Sequence, residues 1–248
     1  MSDDRSRAGA PQNWIALRRH TSARIAIGRI GCGLPVKAHL EFQAAHARAR
    51  DAVHASLRVD SILDALSAFD ARVYVVQSAA ADRQAFLRQP NLGRVLSAES
   101  NGRLSEPMIA PDIVVVIGDG LSSIAVERNA IPVLKNLLPG LQNLGYLLGP
   151  LVIATQARVA IADQIGELLQ ARLSVMMIGE RPGLSAADSL SLYLTYEPRL
   201  GRVDSERNCI SNVRDGGMPA EAAAERAIEL IKAMFARRTS GVSLGPHV

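Results

Sequence analysis

Leu173-Ser174-Val175-Met176-Met177-Ile178, followed at once by Gly179-Glu180-Arg181-Pro182-Gly183, is the stretch on which the fold turns. The apolar run reads as a buried strand. The polar cluster after it therefore belongs at the carboxyl end of that strand, the edge where open α/β sheets bind ligands. Pro182-Gly183 sets a sharp turn. A second apolar run, Leu190 to Tyr196, leads to a second polar cluster, Arg207-Asn208-Cys209-Ile210-Ser211-Asn212. Two clusters of turn-forming and polar residues, each attached to an apolar strand, point to a site rather than a surface loop.

Outward from this stretch the chain alternates. Short β-branched or apolar runs at Val73 to Val76, Ile113 to Ile117 and Leu151 to Ala154 precede it. Helical spacing fills Ser122 to Leu138, Arg158 to Leu169 and Ala220 to Phe235. Strands alternating with helices predict βαβ units: an α/β, Rossmann-like, mostly parallel sheet of about five strands with helices on both faces. The first third differs. Trp14 to Ala26 mixes apolar and basic residues at helical spacing, and Gly28 to Pro35 is a glycine-rich connection. Val36 to His54 reads as a helix, and Ser61 to Phe69 as another that begins at a serine cap. The expected organisation is a disordered tail over residues 1–13, an N-terminal helical region over 14–70 and the α/β domain over 71–248.

The bulk properties narrow the class. At 248 residues, 48% hydrophobic and 21% charged, the chain suits an ordinary soluble domain with a full core. No apolar run reaches the roughly 20 residues that span a bilayer, and Met1 to Gln12 lacks the apolar core of a secretory signal. Two distant cysteines, Cys32 and Cys209, make no disulfide framework, which suits a reduced cytoplasmic setting. Net charge is +4, but the excess is dispersed arginine and aromatics are only 4%, which argues against nucleic-acid binding.

Several segments carry possible chemistry. Gly118-Asp119-Gly120-Leu121-Ser122-Ser123 follows the strongest strand; its serines can cap the next helix, and it reads equally as a well-made βα turn. It has no third glycine in the dinucleotide spacing, so a nicotinamide enzyme is poorly supported. Thr155-Gln156-Ala157-Arg158-Val159-Ala160 also follows a strand and offers hydrogen-bonding groups. Glu180 and Arg181 either meet a ligand or form a surface ion pair. Cys209 sits in a polar loop context with no histidine nearby in sequence to activate it. His39, His46 and His54 lie two helical turns apart, roughly 10–12 Å, too far to share a metal. The Gly-x-Ser-x-Gly pattern occurs only at Gly241 to Gly245, after a helical run rather than a strand, so it makes no nucleophile elbow. The residues therefore point to no catalytic group and no metal ligand in this chain.

The ordered series of blocks is more specific than any one of them. Gly28-Arg29-Ile30-Gly31 through Leu34-Pro35, Ser78-Ala79-Ala80-Ala81-Asp82-Arg83, Gly118 to Ser123, Pro150 to Gln156, Gly179 to Ser185, Tyr193-Leu194-Thr195-Tyr196, Glu206 to Asn212 and Phe235-Ala236-Arg237-Arg238 resemble the small subunit of adenosylcobalamin-dependent ethanolamine ammonia-lyase. The resemblance implies conversion of ethanolamine to acetaldehyde and ammonia, with substrate held by a separate TIM-barrel large subunit. It implies adenosylcobalamin between the two chains, and Val159, Glu180 and Cys209 as its contacts here. No Asp-x-His-x-x-Gly segment occurs, so the resemblance implies a cofactor bound base-on. A cytoplasmic hetero-oligomer follows, free or enclosed in a bacterial microcompartment. Two alternatives stay open: a stand-alone Rossmann-like enzyme using a nucleotide such as a nicotinamide or S-adenosylmethionine, and an interaction protein that has lost the cofactor.

Overall fold

The computed structural model describes residues 12–104 and 109–245. Residues 1–11 of the expected tail lie outside the described residues; the next six, Gln12–Leu17, form helix α1. The helical reading of Trp14 to Ala26 is corrected, because the chain leaves helix after Leu17 and Ala26 takes a positive φ of 53°. Helix α2 (Val36–His54) falls where the spacing put it. Helix α3 (Val59–Leu66) starts earlier than expected, after Arg58, and Ser61 is inside it rather than its cap.

Strands β1 (Val73–Gln77), β2 (Ile113–Gly118), β3 (Leu148–Thr155), β4 (Leu173–Gly179), β5 (Leu190–Tyr196) and β6 (Asn208–Val213) make one sheet in the order β1-β3-β2-β4-β5-β6. The first four run parallel, and β5 and β6 return antiparallel. This is the mostly parallel α/β sheet expected, with one strand more than about five. The added strand is β6, read as loop because polar residues break its apolar pattern. It pairs on one side only, so it has no need of the continuous apolar character of β2 and β4, which are buried along their whole length.

Helices α4 (Arg83–Arg88), α5 (Ala98–Leu104), α6 (Ser123–Asn143), α7 (Ile161–Leu168) and α8 (Ala220–Arg237) complete the fold. Short α4 and α5 were not foreseen, and α7 starts three residues later than its helical pattern. One face of the sheet packs on α3, α6 and α8 through residues such as Ile117, Val175, Leu192 and Leu194. The other packs on α5 and α7 through Val116, Val152, Met176 and Ile178. Ser122 caps α6 as expected, its hydroxyl accepting from the Ala125 amide at 3.2 Å. No helix among the described residues is long and apolar enough to cross a membrane.

Candidate functional site

In the parallel part of the sheet, β2 and β4 are neighbours whose chains leave in opposite directions, β2 toward β3 and β4 toward β5. Open α/β sheets leave a ligand crevice at such a point. Here it is closed. The Leu121 amide donates to the Gly179 carbonyl at 3.0 Å, and a Cβ on Gly179 would strike the Ser122 carbonyl. The Ser122 hydroxyl donates to the Ala187 carbonyl at 2.7 Å. Buried Asp119 ties the next loop in, accepting the amides of Gln156 and Ala157 at 2.9 and 2.8 Å and Arg83 Nη1 at 3.4 Å. The Gly118 to Ser123 segment is thus a satisfied turn and not an open anion site.

A second set of polar groups lies farther along the sheet. Alternation on β5 sends Leu190, Leu192 and Leu194 to the α6–α8 core and Ser191, Tyr193 and Thr195 to the opposite face. That opposite face is covered by α7 over β4, whereas the helices touching β5 and β6 reach them from the core side. Each of the three polar β5 residues has a charged or polar partner. The Ser191 hydroxyl donates to Glu180 Oε1 at 2.6 Å, and the Asn212 amide donates to the same oxygen at 2.7 Å. Both bonds fall on Oε1. Tyr193 pairs directly with Cys209 across the strands. Thr195 Oγ1 accepts from Arg207 Nη1 at 3.3 Å, and the same nitrogen donates to Asp163 Oδ1 at 2.6 Å.

Of the three residues singled out from the sequence, Glu180 and Cys209 are brought together. Ser191 lies between them, bonding Glu180 and reaching the thiol. Val159 lies in the β3–α7 connection, packed on the same sheet face as Tyr193. Glu180 forms no ion pair with Arg181; its partners are Ser191 and Asn212. Cys209 is on strand β6 and exposed, which corrects its reading as a loop residue.

Its thiol nevertheless loses hydration against β5, and this pushes its pKa up, aided by the Glu180 charge and opposed by hydrogen bonding to Tyr193 and Ser191. The Tyr193 hydroxyl is pushed up to about 12 by burial, with Cys209 and Glu180 adding to the effect. Both groups are neutral at neutral pH, so Cys209 is a hydrogen-bonding thiol and not a thiolate nucleophile.

Sequence reasoning missed Ser191 and Tyr193 as site residues and the Asp163–Arg207 pair. The alternation in Leu190 to Tyr196 carried a signal for the first two, because polar residues at every second position of a buried strand need partners. Nothing local announced the pair, whose members are 44 residues apart. Asn212, bound to Glu180, has a positive φ of 62°, and Gln156, directly after β3, one of 53°. The Gln156 Oε1 is buried and unpartnered.

Glu180, Cys209, Ser191 and Tyr193 thus bring a carboxylate, a thiol and hydroxyls together, with no arrangement among them suited to acid–base or nucleophilic chemistry. Comparison with known proteins agrees with the sequence blocks. A model of the family described as ethanolamine ammonia-lyase light chain (EutC) matches residues 11–245. The ethanolamine ammonia-lyase small subunit of Azotobacter vinelandii (strain DJ / ATCC BAA-1303) is 48% identical over 249 residues, covering 98% of this chain and 91% of its own. That of Pseudomonas syringae pv. tomato (strain ATCC BAA-871 / DC3000) is 46% identical, covering 98% of this chain and 86% of its own. That of Ralstonia nicotianae (strain ATCC BAA-1114 / GMI1000) is 46% identical, covering 98% and 93%. With a family match over residues 11–245 and relatives 46–48% identical along 98% of its length, the chain belongs to the ethanolamine ammonia-lyase light-chain family.

Proposed function

We propose that this chain serves as the small subunit of an ethanolamine ammonia-lyase and that its polar sheet face forms one wall of an adenosylcobalamin site, closed by a large TIM-barrel subunit. When bound, the cofactor supplies the radical chemistry that converts ethanolamine to acetaldehyde and ammonia. This chain binds and orients; the substrate belongs to the large subunit, so the small subunit is inactive alone.

The carrying observation is Glu180, fixed through Oε1 by Ser191 and Asn212, with its charge felt at both Cys209 and Tyr193. A corrinoid has an apolar ring rimmed by amide side arms. Oε2 accepts an amide N–H, the hydroxyls and thiol serve the rest of the rim, and the orphaned Gln156 Oε1 lacks the N–H donor that such an arm carries. The donor set fits the group. Val159 contributes apolar contact from the β3–α7 connection. This chain offers no Asp-x-His-x-x-Gly histidine for cobalt, so we assign the base-on form.

A partner subunit is supported by the N-terminal region. Trp14, Ile15, Leu17, Ile30, Val36 and Leu40 are all about half exposed or more, Val36 reaching 68%. Solvated apolar stretches of this size mark interaction surfaces. The same region touches the loop after Glu180, where Arg24 Nη2 donates to the Leu184 carbonyl and the Ser185 hydroxyl donates to the Ser22 carbonyl, each at 3.4 Å. The interaction surface and the cofactor face are thus joined. A stand-alone nucleotide enzyme is disfavoured by the closed β2–β4 crevice.

Reconstitution tests this reading. The chain is purified alone and with a large subunit, and ethanolamine deamination is assayed with adenosylcobalamin. Activity is expected only from the pair; activity of this chain alone, or none from the pair, rejects the assignment. In the active pair, Glu180→Gln is expected to weaken cofactor binding about tenfold or more, because it removes a charged acceptor. Unchanged affinity with a lowered melting temperature would make Glu180 a purely structural group.

A further inference from the structure

Asp163 and Arg207 form an ion pair at 2.6 Å with each side chain only 2% exposed. A pair so buried adds little net stability, and apolar residues of similar volume are often as stable in its place. Fixed geometry is what such a pair supplies. Arg207 Nη1 donates to Asp163 Oδ1 and Thr195 Oγ1, and Nη2 donates to the Arg202 carbonyl at 2.9 Å. One guanidinium thus joins α7, β5 and the residue that leads into β6.

Its neighbours in sequence give this joint a direction. Asp163 stands about one helical turn beyond Val159. Arg207 immediately precedes β6, and alternation along an extended chain puts it on the same face as Cys209, two residues on. At the far end of β6, the Asn212 amide is bound by Glu180. The edge strand is therefore pinned at both ends on its polar face, with Cys209 between the pins.

We propose that the Asp163–Arg207 pair is a positioning device for the cofactor wall, holding the strand of Cys209 in register with the Val159 connection. This rests on the cofactor reading above. Neither residue touches the cofactor; each acts through the backbone it fixes.

The test uses the assembled two-subunit enzyme with adenosylcobalamin, comparing wild type, Asp163→Leu/Arg207→Met and Asp163→Asn. Three readouts are taken: cofactor affinity by absorbance titration, thermal midpoint, and maleimide labelling of the Cys209 peptide by mass spectrometry. The same enzyme without cofactor is the reference. In wild type, cofactor is expected to protect Cys209 against labelling. The apolar double variant is expected to melt within about 5 °C of wild type and to bind cofactor about tenfold more weakly, with Cys209 protection reduced. Asp163→Asn, which keeps an acceptor and loses the charge, is expected to fall between them and carries the test if the double variant does not assemble.

Wild-type affinity in the variants, with or without a lowered melting point, would overturn the positioning role and leave the cofactor reading standing. Unprotected Cys209 in the wild-type enzyme would remove the cofactor reading and this proposal with it.

Discussion

Along β5, Leu190, Leu192 and Leu194 turn to a core shared with α6 and α8, while Ser191, Tyr193 and Thr195 turn to a face where helical cover ends at β4. The core side is held by area and is indifferent to direction. The polar side is held by bonds between named atoms: Ser191 to Glu180, Tyr193 beside Cys209, Thr195 to Arg207. Ser191 and Thr195 are each only 2% exposed, so the polar side is no wet surface that happens to be hydrophilic. Its polar groups are ordered before any ligand arrives, which lowers the entropic cost of binding. One strand thus has an apolar side that builds the core and a polar side that, in the function proposed above, meets the cofactor.

The largest expected effect would break that separation if it failed. Leu192→Ala empties a fully buried position and is expected to cost about 3 kcal/mol in denaturant unfolding. Cofactor affinity of the folded complex should stay within about twofold, since the proposed cofactor face is on the other side of the sheet from the cavity. A strong affinity loss would mean that the two faces are mechanically coupled.

Next, Tyr193→Phe removes only a hydroxyl and is expected to cost about 1 kcal/mol or less. Its signature is chemical. With the tyrosine hydroxyl gone, the Cys209 thiol loses one of its hydrogen-bond partners, and its pH profile of maleimide labelling should move toward higher pH. A stability loss matching that of Leu192→Ala, with an unmoved labelling profile, would make Tyr193 a core residue and erase the contrast.

The smallest effect lies on the core side, where α3 meets α6. Burial alone would raise the Glu127 carboxyl, but hydrogen bonds from the Arg58 side chain and amide, with its charge, outweigh this and hold it below its ordinary value of 4.5. A depressed carboxylate adds stability that is present above its unfolded pKa and lost as pH falls through its folded pKa. Glu127→Gln should therefore lower stability slightly at neutral pH and flatten the acid limb below about pH 4.5. Arg58 is largely solvated, so added salt should shrink the difference. An acid limb unaltered by the substitution would show that the contact carries no charge-dependent stability.

Much of the architecture was legible locally. Leu173 to Ile178 read as a strand and is one; Val36 to His54 read as a helix and is one. Ser122 announced its own helix cap. These features depend on neighbours within a few residues. The errors have a common cause as well. Strand β6 draws its regularity from β5, with only one edge paired, and its own residues carry too little apolar pattern to reveal it. From Trp14 to Ala26, apolar and basic residues recur at helical spacing, yet the chain leaves helix after Leu17, takes a positive φ at Ala26 and fastens to the Leu184–Ser185 loop.

For the site, the chain by itself determined which residue types stand at strand ends and that β5 alternates, because periodicity and turn chemistry are local properties. Only the tertiary structure decided which of those residues meet. The β4–β5–β6 meander brings Asn212 to Glu180 across 32 positions and Arg207 to Asp163 across 44. It also closed the crevice after β2 that the glycines had left open to either reading, through contacts from Gly179 and Ala187 that no window around Gly118 contains. The physical reason is the same in both cases: a hydrogen bond depends on distances of a few tenths of an ångström, and those are set by the path of the whole sheet rather than by any segment of it.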